Sequence, residues 1–227
     1  MFSLLSIAAL AATVPAANAS ERKPNAVQLV YGGYGSGDDA FSFYSPNNSL
    51  GAAGIRGERD LRGPVSLTGT YTRRTVASEY YDSLVESDRM PERDEAALVA
   101  TFTGQQITLG PKVRVDLGRG FSPYVVGQGL AFIGTSRLDD DPGVEGNLNE
   151  LRNRSWAPGF VAAGGVEYSP SIGAVRLSTF FELGYNWTAQ LGFEDESVRE
   201  RGTNAPADMG DLAFRGVYVQ TGIGVRF

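Results

Sequence analysis

The amino-acid sequence predicts an all-β fold, an eight-stranded antiparallel up-and-down transmembrane β-barrel. Several segments alternate strictly between apolar and polar residues, which is the period of a β-strand with two different faces. After residue 20 no apolar run approaches the roughly 20 residues that a transmembrane helix needs. Any membrane embedding of this chain must therefore use strands. The predicted connections between these strands also alternate between long and short.

The first 19 residues have the pattern of a secretory signal peptide. An apolar run from Leu4 to Val14 is too short to span a bilayer, and a small-residue cleavage pattern, 17–19, follows it. Residues 1–3 lack the basic residue that usually begins such a segment. We expect a signal peptide over residues 1–19 and a single barrel domain over residues 20–227.

Four segments show the strand period most clearly, at 65–72, 107–117, 175–187 and 217–227. Their polar faces carry charged residues, among them Lys112, Arg114 and Glu182. An Arg or Lys that faces lipid at mid-depth costs about 2–4 kcal/mol, so the register that turns these charges inward is favoured.

Four weaker strands complete the set of eight, because glycines dilute their alternation. They lie near residues 26–35, 50–60, 121–134 and 156–168. The strands are separated by long connections near 36–49, 76–95, 135–155 and 191–212, and by short turns at 60–63, 118–122 and 169–173. All long connections then fall at one end, as in barrels with short periplasmic turns and long extracellular loops.

Aromatic residues near both ends of the predicted strands indicate two girdles at the membrane interfaces. The outer girdle is predicted to hold Trp156, Trp187, Tyr71, Phe132 and Phe214. The inner girdle is predicted to hold Tyr124, Tyr168 and Phe227.

The composition excludes several classes of function. Cysteine and histidine are absent, which removes disulfides, thiolate and imidazole catalysis, and the usual ligands of zinc. The 26 acidic residues outnumber the 20 basic ones, whereas nucleic-acid surfaces carry a clustered basic excess. We therefore expect no enzyme activity, no catalytic residue, no cofactor, no metal site and no nucleic-acid partner.

Charged residues at the strand positions that are predicted to face the barrel interior define the candidate site. An eight-stranded barrel is only wide enough for side chains to fill its interior. The predicted lumen charge network consists of Arg56, Glu58, Lys112, Arg114, Asp116, Glu167, Arg176, Glu182 and Arg226. These ions plug the lumen if they pair, and the alternative is a gate whose pairs rearrange to pass water or small ions.

The chain resembles the OmpA-like and opacity-type family of small outer-membrane barrels. The resemblance rests on the signal peptide, the strand count and the C-terminal segment G-V-Y-V-Q-T-G-I-G-V-R-F. It implies a place in the bacterial outer membrane after export through the inner membrane, among outer-membrane lipid and lipopolysaccharide. It also implies that the barrel assembly machinery reads the last strand through Val219, Thr221, Ile223, Val225 and Phe227.

These observations favour a structural or surface-contact barrel, and three alternatives stay open. The first is a narrow passive pore for small or apolar solutes, similar to OmpW-like barrels, because four glycines are expected to face inward: Gly127, Gly129, Gly222 and Gly224. The second is a soluble lipocalin-like binder with an apolar lumen. The third is a barrel enzyme, although the families of that kind use a histidine. As a further hypothesis, acids in the long connections hold divalent cations that bridge lipopolysaccharide.

Overall fold

The computed structural model describes residues 24–80, 98–139, 151–172, 175–193 and 211–227. The strands in chain order are β1 (Asn25–Gly35), β2 (Ser49–Asp60), β3 (Val65–Tyr80), β4 (Leu98–Arg114), β5 (Phe121–Asp139), β6 (Leu151–Tyr168), β7 (Ser171–Ile172), β8 (Val175–Thr188), β9 (Gln190–Gly192), β10 (Asp211–Ala213) and β11 (Gly216–Arg226). A 3-10 helix covers Asp39–Phe43. The predicted signal peptide and the acidic connections at 81–97, 140–150 and 194–210 lie outside the described residues.

Eight long antiparallel strands close into a barrel, which confirms the predicted fold. Strands β1 to β6 pair in sequence order, β6 pairs with β8, and β11 pairs with both β8 and β1. Val225 on β11 shows the closure, since it lies opposite Leu177 on one side and Val27 on the other. The short β7 pairs with β8 alone, and β9 and β10 form a separate two-stranded sheet.

The turns and the two chain ends lie together at one end of the barrel. The described residues at 61–64, 115–120 and 169–172 form this end, where Asn25 and Phe227 exchange backbone hydrogen bonds of 3.0 and 2.9 Å. Gly118 and Gly120 adopt φ of 84° and 80°, a region that glycine enters without steric cost. The long connections leave from the opposite, outer end, as the sequence predicts.

The outside of the barrel is an apolar belt. Its height follows from β11 and the residue after it, where the ten steps from Val217 to Phe227 rise about 3.4 Å each and tilt about 40°, giving about 26 Å. This matches the roughly 25 Å apolar band of outer-membrane barrels. The outward large apolar residues include Val27, Leu29, Tyr31, Ile55, Tyr71, Ile107, Leu109, Phe160, Phe181, Leu183, Tyr185, Val217, Val219, Ile223, Val225 and Phe227.

The predicted girdles are partly wrong, because three of their aromatic residues face the lumen. Trp156 and Tyr168 are exposed on the outside, and Trp187 is half-buried there against the Phe160 ring. Tyr124, Phe132 and Phe214 are instead buried inside the barrel. The inward parity of β5 is rich in apolar residues, so apolar character alone does not identify the lipid face of this strand.

Strands β3 to β6 extend further at the outer end than the sequence predicts. Tyr80, Leu98, Asp139 and Leu151 now bound strands, so parts of the expected connections at 76–95 and 135–155 are sheet. The inward face of this extension combines apolar residues such as Phe102 with small buried polar ones such as Ser78 and Ser136, and its outward face is mostly polar. This arrangement suits a β-sheet that stands in water with one buried face.

Candidate functional site

The inner end of the lumen holds a chain of ion pairs centred on Lys112. The Lys112 Nζ lies 2.6 Å from Glu58 Oε2 and 2.6 Å from Glu167 Oε2. Arg226 donates from Nε to Glu167 Oε1 at 2.9 Å and also pairs with Glu58. Arg114 donates to Glu58 Oε1 at 2.7 Å and to Asp60. Three cations thereby face three carboxylates, and this inner cluster is electrically balanced.

Neutral polar groups complete the coordination of the inner cluster. Ser169 and Ser178 donate to Glu167 Oε1 at 2.9 and 3.0 Å. Gln28 donates in turn to the Ser178 hydroxyl at 2.6 Å. Lys112 also lies 4.2 Å from the centre of the Tyr124 ring, which adds a cation–π contact. Buried charges with this many partners retain much of the stabilisation that water would provide.

One bidentate ion pair spans the middle of the lumen. Arg56 donates from both terminal nitrogens to Glu182, at 2.9 and 3.0 Å, and both side chains are almost completely buried. Tyr124 and Tyr218 each donate to Glu182 at 2.8 Å, and Gln220 donates to the same carboxylate. Glu182 therefore accepts from four residues, a dense set of charge-assisted hydrogen bonds.

The Arg56 side chain is held equally firmly on its other sides. Its Nε donates to Thr70 Oγ1 at 3.1 Å, and its guanidinium carbon lies 4.1 Å from the centre of the Phe180 ring. The pair thus joins β2 to β8 across the lumen rather than along one sheet edge.

An aromatic cluster fills the outer end of the lumen. Phe132 stacks on Phe214 with ring centres 4.3 Å apart, and Phe102 stacks on Phe214 at 5.1 Å. Phe41, from the 3-10 helix, meets Phe214 edge-on at 5.2 Å. Buried residues of the connections and of the extended strands surround these rings: Tyr34, Tyr44, Leu50, Ala100, Leu130, Ala157, Val161, Leu191, Phe193, Leu212 and Tyr218.

The structure brings seven of the nine predicted lumen residues into the two ion clusters: Arg56, Glu58, Lys112, Arg114, Glu167, Glu182 and Arg226. Asp116 lies apart, because β4 ends at Arg114 and the exposed Asp116 side chain accepts from the Gly118 N–H at 2.9 Å. Arg176 lies half-buried at the inner mouth, where its Nε donates to the Ser169 carbonyl at 3.1 Å.

Sequence reasoning also missed members of the site. Asp60 shares the inward parity of Arg56 and Glu58, so the period of β2 contains the signal for it. Tyr124 and Tyr218 were harder to find, because an aromatic ring on a strand fits a lipid face as well as a lumen.

The inward glycines were predicted half correctly. Gly222 and Gly224 face the lumen, but Gly127 and Gly129 are exposed on the outside of β5. The inward parity of β5 carries Tyr124, Val126, Gln128, Leu130 and Phe132, which fill the lumen instead of opening it.

The residues predicted to be read during barrel assembly lie on the lipid-facing side of β11. Val219, Thr221, Ile223, Val225 and Phe227 are all exposed there. Thr221 satisfies its hydroxyl by donating to the Phe180 carbonyl at 2.7 Å.

No protein-family model matches the chain, and no curated protein matches it. Solved structures do match this chain. The attachment invasion locus protein Ail of Yersinia pestis, in complex with the heparin analogue sucrose octasulfate, is 11% identical over 91% of this chain and 99% of that chain, with a TM-score of 0.51. Neisserial surface protein A is 13% identical over 89% of this chain and 96% of that chain, with a TM-score of 0.51. The fold is that of the small eight-stranded outer-membrane barrels.

Within the described ranges of this barrel, no helix is long and apolar enough to cross a membrane. That finding does not bear on strands. At these identities the likeness establishes the fold alone.

Proposed function

We propose that the chain is a non-enzymatic barrel of the bacterial outer membrane, with a structural or surface-contact role and a lumen plugged by its own side chains. The proposal is supported by the buried Arg56–Glu182 pair, which lies across the lumen between the inner ion cluster and the aromatic cluster. The inner ion cluster, the Arg56–Glu182 pair and the aromatic cluster form three layers along the interior, and the interior of an eight-stranded barrel is narrow.

The outside of the barrel supports the membrane location. A belt about 26 Å high, with Leu29 68% exposed and Trp156 67% exposed, is an aggregation hazard in water and a matched surface in lipid. A lipocalin-like binder needs the opposite arrangement, with an apolar cavity inside and polar residues outside. Here the ion pairs are inside, so the soluble alternative is disfavoured.

A passive pore is disfavoured by the same layers. Small solutes pass only if the inner cluster, the middle pair and the aromatic cluster all rearrange. Breaking one buried ion pair costs about 3–5 kcal/mol when one partner is left uncompensated. The outward position of Gly127 and Gly129 also removes two of the four glycines whose expected inward position favoured a pore.

Single-channel recording tests the plug. The mature chain is refolded into detergent, its closed barrel is verified by a boiling-dependent shift on a denaturing gel, and it is inserted into planar bilayers beside a porin as positive control. We expect no defined conductance steps. Reproducible steps from a preparation that passes the gel test would contradict the plug and favour the narrow pore.

Exposed arginines at the outer rim support contact with lipopolysaccharide. Arg137 on β5 and Arg152 on β6 are cross-strand partners, and Arg154 lies on the same face. From strand rise and tilt, Arg154 and Arg152 lie about 5 and 10 Å outside Trp156. A guanidinium group binds phosphate oxygens in a bidentate geometry. Lipid phosphates occur at this height, just above an aromatic girdle.

The structural neighbour Ail binds a polysulfated sugar analogue, and the rim arginines extend that kind of surface contact to this chain as part of the proposal. The test is retention of the refolded barrel by lipopolysaccharide-containing vesicles. We expect Arg152→Glu combined with Arg154→Glu to weaken binding at low salt, while Arg62→Glu at the inner turn leaves binding unchanged. Equal losses in both variants would contradict a rim site.

The proposal includes export through the inner membrane and assembly through the last strand. Phe227 ends an outward apolar row on β11, which suits recognition from the lipid side. We expect Phe227→Ser to lower the amount of assembled barrel in cells while the purified variant still refolds in detergent. Normal assembly in cells would contradict this role for Phe227.

A further inference from the structure

Arg74 is a buried cation that stands apart from both ion clusters. Its side chain lies on the inward face of β3, between the Arg56–Glu182 pair and the outer end of the lumen. The residue is 4% exposed. One terminal nitrogen donates to Gln106 Oε1. The nitrogens Nε and Nη1 find no hydrogen-bond acceptor among the residues that the structure describes.

The charges of the described lumen leave Arg74 unbalanced. In the middle layer Arg56 faces Glu182, and in the inner cluster three cations face three carboxylates. Across the described ranges, no ion pair with a carboxylate involves Arg74. Its neighbours are neutral, including the rings of Tyr34 and Phe132 at 4.8 and 5.8 Å. A buried charge is stable when it is paired, so this position calls for an anion.

The space beside Arg74 is a small cavity whose walls offer further donors. Thr72, Tyr34 and Asn186 line the cavity together with Arg74 and Gln106. The hydroxyls of Thr72 and Tyr34 are buried and have no partner in the described chain, and both are able to donate. The cavity has room for about one water molecule. Asn186 presents an unpartnered acceptor, Oδ1, which places the anion on the Arg74 and hydroxyl side.

From this geometry we propose that the cavity binds one small inorganic anion of the halide class, held by the Arg74 guanidinium and the hydroxyls of Tyr34 and Thr72. A water molecule satisfies hydrogen bonds there but leaves the positive charge uncompensated. A halide ion is only slightly larger than the water molecule that this space accommodates. Along the lumen the cavity lies between the aromatic cluster and the middle ion pair, and its lining includes Gly33 and Val219, which are exposed on the outside of the barrel.

Diffraction from the wild-type barrel tests occupancy directly. The mature chain is refolded in sodium bromide, because a closed lumen exchanges slowly, and crystals are measured at the bromine absorption edge. We expect an anomalous peak in contact with Arg74. Crystals with bromide peaks only at the surface would overturn the proposal, whatever the variants do, and conductance tests of the plug do not depend on this outcome.

A stability series tests whether the anion matters to the fold. Thermal unfolding in detergent is compared in sodium chloride, bromide and gluconate at equal ionic strength, after refolding in each salt. At an anion concentration about 100-fold above Kd, we expect the halides to raise Tm by roughly 5–10 °C over gluconate. The rise is saturable and absent in Arg74→Met.

Arg73→Met is the matched control, because Arg73 is the next residue on β3 and is exposed on the outer face. It removes the same charge and is expected to keep the full halide effect. Equal Tm values in all three salts for wild type, or the same halide effect in Arg74→Met, would refute the site. If Arg74→Met fails to refold, Arg74→Lys replaces it, with a weakened halide effect expected.

Discussion

Replacing Glu182 with glutamine is the sharpest probe of the plugged lumen. The substitution keeps the shape of the side chain but removes its charge, so Arg56 is left as a buried cation without a counter-ion. It also turns one carboxylate oxygen into an amide nitrogen, which faces donors from Arg56, Tyr124, Tyr218 and Gln220. An acceptor is thereby replaced by a donor at the centre of the network.

The magnitude follows from how deeply the pair is buried. The Arg56 and Glu182 side chains are 1% and 0% exposed, so solvent does not screen the change. Breaking a buried pair by removing one partner costs about 3–5 kcal/mol, and we expect Glu182→Gln to lie in this range. Arg56→Met leaves Glu182 with three neutral donors, so we expect a smaller loss, about 2–3 kcal/mol.

A double-mutant cycle separates pairing from other effects. The combined variant Arg56→Met with Glu182→Gln contains no uncompensated charge, so its loss should fall at least about 1 kcal/mol below the sum of the single losses. The assay is equilibrium urea unfolding in detergent, followed by the fluorescence of Trp156 and Trp187. Both tryptophans lie on the outside of the barrel and report its insertion into the micelle.

Two results would refute the reasoning. A loss below about 1 kcal/mol for Glu182→Gln would mean that water reaches the pair and screens it, as in an open lumen. Additive single losses would mean that Arg56 and Glu182 are not energetically coupled despite their bidentate geometry.

Three further substitutions probe the belt, the glycines and the aromatic cluster. Leu29→Arg places a charge on the lipid face at mid-belt and should cost about 2–4 kcal/mol in urea unfolding, whereas Leu61→Arg at the inner turn should cost at most about 1 kcal/mol. Gly224→Ala should destabilise by about 1–3 kcal/mol, because its Cβ would lie 1.9 Å from the Val27 carbonyl oxygen, while Gly127→Ala meets nothing within 4 Å and should be near neutral. Phe132→Ala should lower the free energy of unfolding by about 3–5 kcal/mol. It should not open a conducting path, because the ion pairs of the lumen remain. A conducting Phe132→Ala barrel would mean that the aromatic cluster alone seals the lumen.

Much of the fold follows from the sequence because the residues that face lipid are apolar and many of those that face the lumen are charged. Alternate residues of a strand therefore differ in polarity. This holds for β4, β8 and β11, where Lys112, Glu182 and Arg226 identify the inward face and apolar residues identify the outward one. It fails for β5, where the inward parity carries Tyr124 and Phe132 and the outward parity carries small residues. The period-two rule gives a strand's two faces but assigns them only when one of them is polar.

The sequence does not show which charged residues of the lumen form ion pairs with one another. Arg56 and Glu182 lie 126 residues apart and on strands that are not neighbours. Which ions meet across a lumen depends on the stagger of all eight strands, and no single segment determines that stagger. The same holds for Arg74, whose inward parity is plain from Thr70 and Thr72, whereas its separation from every described carboxylate is visible only in three dimensions.

Strand β6 meets two solvents along its length. At Phe160 and Trp156 its outward face is apolar, and from Arg154 onward that face is charged. On the inside, Glu167 lies at the inner end and Ala157 lies in the aromatic cluster, followed by the small polar Ser155. The outward face of β6 therefore marks the boundary of the bilayer. A shift of the barrel along the membrane normal in one direction would move Arg154 and Arg152 into lipid, and a shift in the other would expose Trp156 and Phe160 to water, so both shifts are opposed.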